Sequence, residues 1–205
     1  MSRNKLIYGT HSILEALDAG KEIDKIFIRR GLKTDETQQV ARIARERVIP
    51  MQYVPSEKLD RLTTKNHQGI VAFIAEIEYT SLEQLIPIIY EEGRAPFFVI
   101  LDGITDVRNF GAIARTAECT GVDAIIIPDK GSVSVTGDAI KTSAGALHRV
   151  AVCRVSSISH TIRMLQDNGI KVVTASEKAS TTYTEESLQY PCAIVMGSEE
   201  VGPSE

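Results

Sequence analysis

The sequence is short of cysteine, and what it has does not pair. Cys119, Cys153 and Cys192 lie far apart, with no CxxC and no even number to match. A reduced cytosolic chain without a zinc site is the simplest reading. Fourteen glycines and seven prolines in 205 residues are too few for a low-complexity or collagen-like chain. No apolar run approaches the ~18–20 residues that span a bilayer. The basic start Met1-Ser2-Arg3-Asn4-Lys5 leads into Leu6-Ile7-Tyr8-Gly9, with no apolar stretch of signal-peptide length. A net charge of -4 argues against a whole-molecule polyanion binder.

Chemical signatures are missing too. No strand is followed by G-x-G-x-x-G or by G-x-x-x-x-G-K-[ST], which removes ordinary dinucleotide-binding and P-loop readings. His11, His67, His148 and His160 form no pattern with metal-ligand spacing, and no G-x-S-x-G elbow occurs. Hydrolase and metalloenzyme readings therefore have no support.

What is present is a globular balance of 43% hydrophobic and 24% charged residues, on a chain long enough for two small domains. Charge divides unevenly along it. Residues 1–76 carry 13 Lys+Arg against 10 Asp+Glu, and residues 77–205 carry 10 against 17. A basic first part joined to an acidic second part suggests two jobs, although +3 over 76 residues is within ordinary surface scatter.

Helix and strand signals alternate throughout. In the first part the expected helices are 12–17, one capped by Thr34 with Val40, Ile43, Ala44 and Val48 at helical spacing, and 56–62. The expected strands are 25–29, 51–54 and 69–79. Residues 80–95 form a connector helix capped by Thr80-Ser81. Continuous apolar runs follow at 97–101 and 124–127, then strands at 150–155, 171–175 and 192–196. Helices are expected at 109–120, 136–147 and 158–168 between them. Buried strands alternating with helices define an α/β chain with a mostly parallel sheet.

Ligands of such sheets bind beyond the carboxyl ends of the strands. That rule selects the loops 102–111, 175–179 and 197–202. Asn109 sits at the expected start of a helix and can cap it. Gly111 permits a close approach, and Arg115 needs an anionic or solvent partner. Two glycines, Gly197 and Gly202, bracket Glu199 and Glu200 after the last strand.

With those residues in view, segment 101–117 (LDGITDVRNFGAIARTA) resembles the first motif of the SpoU (TrmH-type) RNA ribose 2'-O-methyltransferases, and segment 194–202 (IVMGSEEVG) resembles the second. Segment 141–146 (KTSAGA) matches a stretch between them. Segments 8–16 (YGTHSILEA) and 67–72 (HQGIVA) are similar to the family's L30-like substrate-binding domain. The resemblance implies an RNA-binding domain over 1–79, the connector 80–95, and a SPOUT, trefoil-knot methyltransferase domain over 96–205. It further implies a cytoplasmic homodimer, S-adenosylmethionine as methyl donor, no metal, and a guanosine of 23S ribosomal RNA as acceptor. A transfer-RNA guanosine methyltransferase and a non-catalytic RNA-binding homologue are the alternatives. The family's third motif has no counterpart before Glu205, so the chain is expected to be truncated and residues 197–205 mobile.

Carried over by resemblance, Asn109, Arg115 and Glu199 are the catalytic candidates. Thr174, Ala175, Ser176, Met196, Gly197 and Gly202 are the cofactor candidates. His11, Arg29, Arg30, Lys33, Lys65, His67 and Arg108 are the RNA candidates, with Lys5 near the same edge. Methyl transfer to a ribose hydroxyl is an in-line displacement in which the protein aligns hydroxyl and methyl and helps remove a proton. A guanidinium resists deprotonation, so Arg115 is expected to clamp an RNA phosphate rather than act as base. Glu199 is expected to anchor the Asn109 loop or the ribose.

Overall fold

A computed structural model describes residues 5–189 and 191–204; Met1, Ser2, Arg3 and Asn4 of the basic start lie outside the described residues, as does Glu205. The chain divides into two units. The first runs to Glu78 and takes in Ser134–Asp138; the second comprises Tyr79–Val133 and the residues from Ala139 onward.

The first unit is built on a four-stranded mixed sheet. Strands β1 (Leu6–Tyr8), β2 (Ile23–Arg29), β3 (Met51–Val54) and β4 (Ile70–Ile74) stand in the order β1-β4-β2-β3. The β2/β3 pair is parallel, while β4 runs antiparallel to both β1 and β2. Helices α1 (Thr10–Asp18) and α2 (Asp35–Glu46) cover one face, burying Ile13, Leu17, Val40 and Ala44 against Ile26, Ile28 and Ile70. Helix α3 (Ser56–Leu62) puts Leu59 against Phe27, Val54 and Val71 on the other face. Thr34 caps α2 in a reciprocal box with Thr37. The strand expected over 69–79 is shorter than its apolar pattern. It stops at Ile74, paired with Ile23. One more backbone bond runs from Ala75 N–H to the Glu22 carbonyl before the chain bends at 76–77, and Tyr79 then bridges Val152 instead.

The second unit holds a five-stranded parallel sheet ordered β7-β6-β5-β9-β8. Its strands are β5 (Phe97–Leu101), β6 (Ala124–Pro128), β7 (Ala151–Val155), β8 (Lys171–Ala175) and β9 (Cys192–Met196). Continuous apolar runs suit the central strands β5 and β6, which are almost wholly buried, whereas the edge strand β8 (KVVTA) exposes Lys171, Thr174 and Ala175. Helix α4 (Leu82–Glu91), read from the sequence as a connector, sends Leu82, Ile86 and Ile89 into the core with Phe98, Ile100, Ile126 and Val195. Helix α5 (Val107–Cys119) follows β5, and α7 (Ile158–Asp167) buries Leu165. The helix expected over 136–147 is divided. It becomes α6 (Gly137–Thr142) and a 3-10 turn (Ala146–His148), because Ala144 and Gly145 take φ values of 51° and 82°.

Candidate active site

The strand register gathers the selected loops at one edge of the parallel sheet. Leu101, Met196 and Ala175 occupy one row, Leu101 paired with Met196 and Met196 with Ala175. The loops after β5, β9 and β8 therefore leave from adjacent points. Asp102 N–H donates to the Met196 carbonyl at 2.8 Å, which continues the pairing one residue into the loop.

Helix α5 begins two residues earlier than its apolar pattern suggests. Asp106 is the cap, and its Oδ1 accepts the backbone N–H groups of Arg108 at 2.8 Å and Asn109 at 2.9 Å. Asn109 is thus spared the capping role, and it lines the cavity described below. Gly111 is a packing requirement. A Cβ there would lie 2.7 Å from Thr142 Cβ and Cγ2, so α5 approaches α6 too closely for any larger residue.

The loop after β9 folds back on itself. Gly202 N–H donates to the Ser198 carbonyl at 2.8 Å, and a Cβ on Gly197 would fall 1.9 Å from the Gly202 carbonyl carbon. Ser204 then binds Asp102: its backbone N–H and hydroxyl both donate to Oδ2, at 2.7 and 2.5 Å. Residues 197–204, expected to be loosely held, are tied at both ends.

Between the two loops lies a polar cavity of about 500 Å³. Gly103, Ile104, Thr105, Asp106, Arg108 and Asn109 form one wall, and Ser198, Glu199 and Glu200 the other. Its volume falls in the range of small-molecule sites. Two of the three catalytic candidates, Asn109 and Glu199, meet here together with Arg108. Arg115 does not line the cavity; it is exposed further along α5 and has no ion-pair partner among the described residues. The cofactor candidates Thr174, Ala175 and Ser176 are exposed at the end of β8 beside Met196. Asp102 and Asp106 were not singled out from the sequence, and Glu200 was noted only as the neighbour of Glu199. Of these, Asp106 was legible as an Asp ahead of a helical pattern.

The RNA candidates of the first unit separate into two groups. His11, Arg29, Arg30, Lys33 and Lys65 are exposed, and Lys65 Nζ lies 5.8 Å from the Tyr8 ring centre. His67 is buried. Its Nδ1 accepts the Gly69 N–H at 3.0 Å and its Nε2 donates to Asp60 at 2.9 Å, so both nitrogens are committed to holding the turn into β4. Among the described residues no group of acids, histidines and cysteines could hold a metal ion, and no helix is long and apolar enough to cross a membrane.

A parallel α/β unit with a polar cavity beyond its strand ends, joined to a second α/β unit, has the organisation of a two-domain enzyme with a strand-end site. Residues 96–205 match the SpoU rRNA Methylase family, and residues 6–80 match the RNA 2'-O ribose methyltransferase substrate binding domain. Proteins named for the TrmH family of tRNA/rRNA methyltransferases are 38% identical in Staphylococcus haemolyticus and 39% in Staphylococcus aureus. Each aligns over 199 residues, 97% of this chain and 80% of the relative. The fold is shared with the SpoU methyltransferase AviRb of Streptomyces viridochromogenes in complex with AdoMet (TM-score 0.54, 20% identity, 97% of this chain and 74% of that one). An AdoMet-bound rRNA methyltransferase of Sinorhizobium meliloti has the same fold (TM-score 0.54, 22% identity, 97% and 72%). The chain belongs to the SpoU rRNA methylase family of RNA ribose 2'-O-methyltransferases.

Proposed function

We propose that this chain transfers a methyl group from S-adenosylmethionine to the ribose 2'-hydroxyl of a guanosine in 23S ribosomal RNA, acting as a cytoplasmic homodimer. The observation that carries the reading is the meeting of Asn109 and Glu199 on facing walls of one cavity beyond β5 and β9. The two residues lie 90 positions apart in sequence.

The strand ends suit the cofactor. Ala175 and Met196 are neighbours in register and Met196 is 37% exposed, which offers an apolar surface that a planar ring can cover. Thr174 and Ser176 supply hydroxyls beside it, while Gly197 and Gly202 keep side chains out of the way. When bound, S-adenosylmethionine supplies an electrophilic methyl group on a sulfonium, which needs no metal for activation.

The chain's own residues then position the acceptor. The Asn109 amide oxygen accepts a hydrogen bond from the ribose hydroxyl and orients it. As the O–CH3 bond forms and the S–CH3 bond breaks, the hydroxyl proton leaves to solvent through the open polar cavity. Glu199 accepts hydrogen bonds from the ribose across the cavity. Arg115, exposed and always charged, clamps a phosphate and so fixes the hydroxyl's line of approach.

Tritium transfer from labelled S-adenosylmethionine tests the reading, with unmodified 23S rRNA and unmodified tRNA as parallel acceptors. Label in 23S rRNA is expected. Label confined to tRNA would move the acceptor, and none in either would overturn the assignment.

A further inference from the structure

A second cavity, of about 550 Å³, lies in the first unit beside the carboxyl ends of β2 and β3. Its floor is apolar, made by Ile28, Leu32 and Ala41. Tyr53 at the rim leaves 51% of its surface exposed, more than any other aromatic of this unit. Arg30, Lys33 and Arg45 also line it, and among the described residues none of the three has a carboxylate partner. Arg30 Nε donates to the Tyr53 carbonyl at 3.4 Å, which brings a guanidinium to the tyrosine's strand while its terminal nitrogens stay open. Gln38 contributes an exposed amide whose side chain makes no hydrogen bond among the described residues. Asp35 and Glu36, the acids of the first turn of α2, are not part of the lining.

An aromatic ring, an apolar floor, one free amide and three unpaired cations are a poor fit to a duplex, which presents phosphates and grooves but hides its base faces. They fit a single unstacked nucleotide. The ring and floor take the base, the amide meets its polar edge, and the cations take the flanking phosphates. We propose that this cavity captures one unpaired nucleotide of the substrate RNA, apart from the nucleotide that is methylated. The inference rests on the reading of the chain as an RNA-modifying protein and adds the RNA form it requires: a single-stranded or bulged nucleotide within reach of the first unit.

The test uses the full chain with fluorescein-labelled single-stranded hexanucleotides of each base and a blunt RNA duplex, read by anisotropy. Tyr53→Ala is expected to weaken single-strand binding about tenfold, the loss of one base–aromatic stack, and to leave duplex binding within about twofold. Tyr53→Phe keeps the ring and is expected to bind as the parent does. Gln38→Ala is expected to narrow the differences between bases. An unchanged thermal melt of Tyr53→Ala certifies the fold. If Tyr53→Ala binds every single strand as tightly as the parent, while Arg45→Gln weakens single strand and duplex alike, the surface is only an electrostatic one and the proposal is overturned. If the parent binds neither probe, the RNA reading fails with it.

Discussion

One carboxylate oxygen of Asp102 accepts two hydrogen bonds from Ser204, from the backbone N–H at 2.7 Å and from the hydroxyl at 2.5 Å. Asp102 follows β5, whereas Ser204 closes the loop after β9, so this contact fixes the distance between the two walls of the candidate active site. Hydrogen bonds to a charged group contribute about 1.5–3 kcal/mol in favourable settings, and solvent exposure reduces that.

Asp102→Ala is therefore expected to cost about 1 kcal/mol of stability and to reduce methyl transfer by more than that figure accounts for. Ser204→Ala keeps the backbone bond and is expected to do less on both counts. Urea unfolding and single-turnover methyl transfer, measured on the same two variants, check the ordering.

Gly111→Ala sets two effects against each other. Alanine is worth up to about 1 kcal/mol over glycine inside a helix. A Cβ here lies 2.7 Å from two Thr142 carbons and 2.9 Å from its backbone carbon, an overpacking that costs about 1–3 kcal/mol. The clash wins, and net destabilisation in urea is expected. Gly111→Ala combined with Thr142→Gly is expected to recover part of the loss.

The three thiols differ in environment. Burial pushes the Cys153 thiol up to about 12, with Glu83 adding to the effect. Burial also raises Cys192, against an opposing pull from Lys171. Cys119 is exposed. One thiol is expected to react promptly with an aromatic disulfide reagent at pH 8, and three in denaturant. Cys119→Ser should abolish the prompt reaction.

Two surface carboxylates make stability sensitive to acid. A side-chain hydrogen bond from Arg149 holds Glu118 below its ordinary value of 4.5, and Lys171 does the same for Glu186. A group depressed in the folded state stabilises above its unfolded pKa, and that contribution disappears as pH falls through the folded one. The urea midpoint is accordingly expected to drop as pH is lowered from about 4.5. Glu118→Gln together with Glu186→Gln should flatten that part of the profile, and an unchanged profile would exclude these pairs as its source.

The parallel sheet was legible because its central strands at 97–101 and 124–127 are unbroken apolar runs and the others are short β-branched stretches between helical patterns. Residues 97–101, 171–175 and 192–196 are strands over the expected bounds. Boundaries were lost where a distant partner or an unusual backbone decides them. Nothing local to the run 69–79 announces that the chain leaves β2 after Ala75 and that Tyr79 pairs with Val152 instead, and Ala144 carries no outward sign of its positive φ. At the site, the family motifs brought Asn109 and Glu199 into view, but the residues that hold their loops went unread. The Asp102–Ser204 contact spans 102 positions and obeys no period. His67 falls within a matched segment, yet its ring holds the turn into β4.

Nucleoside mass spectrometry of unmodified 23S rRNA, after incubation with S-adenosylmethionine and the chain, reads the proposed ribose methylation itself. The parent protein is expected to form 2'-O-methylguanosine, and Asn109→Ala to lose at least about a hundredfold, the scale of a misaligned acceptor. Ribose methylation absent with the parent, or formed equally well by Asn109→Ala and Glu199→Gln, would contradict the proposed function.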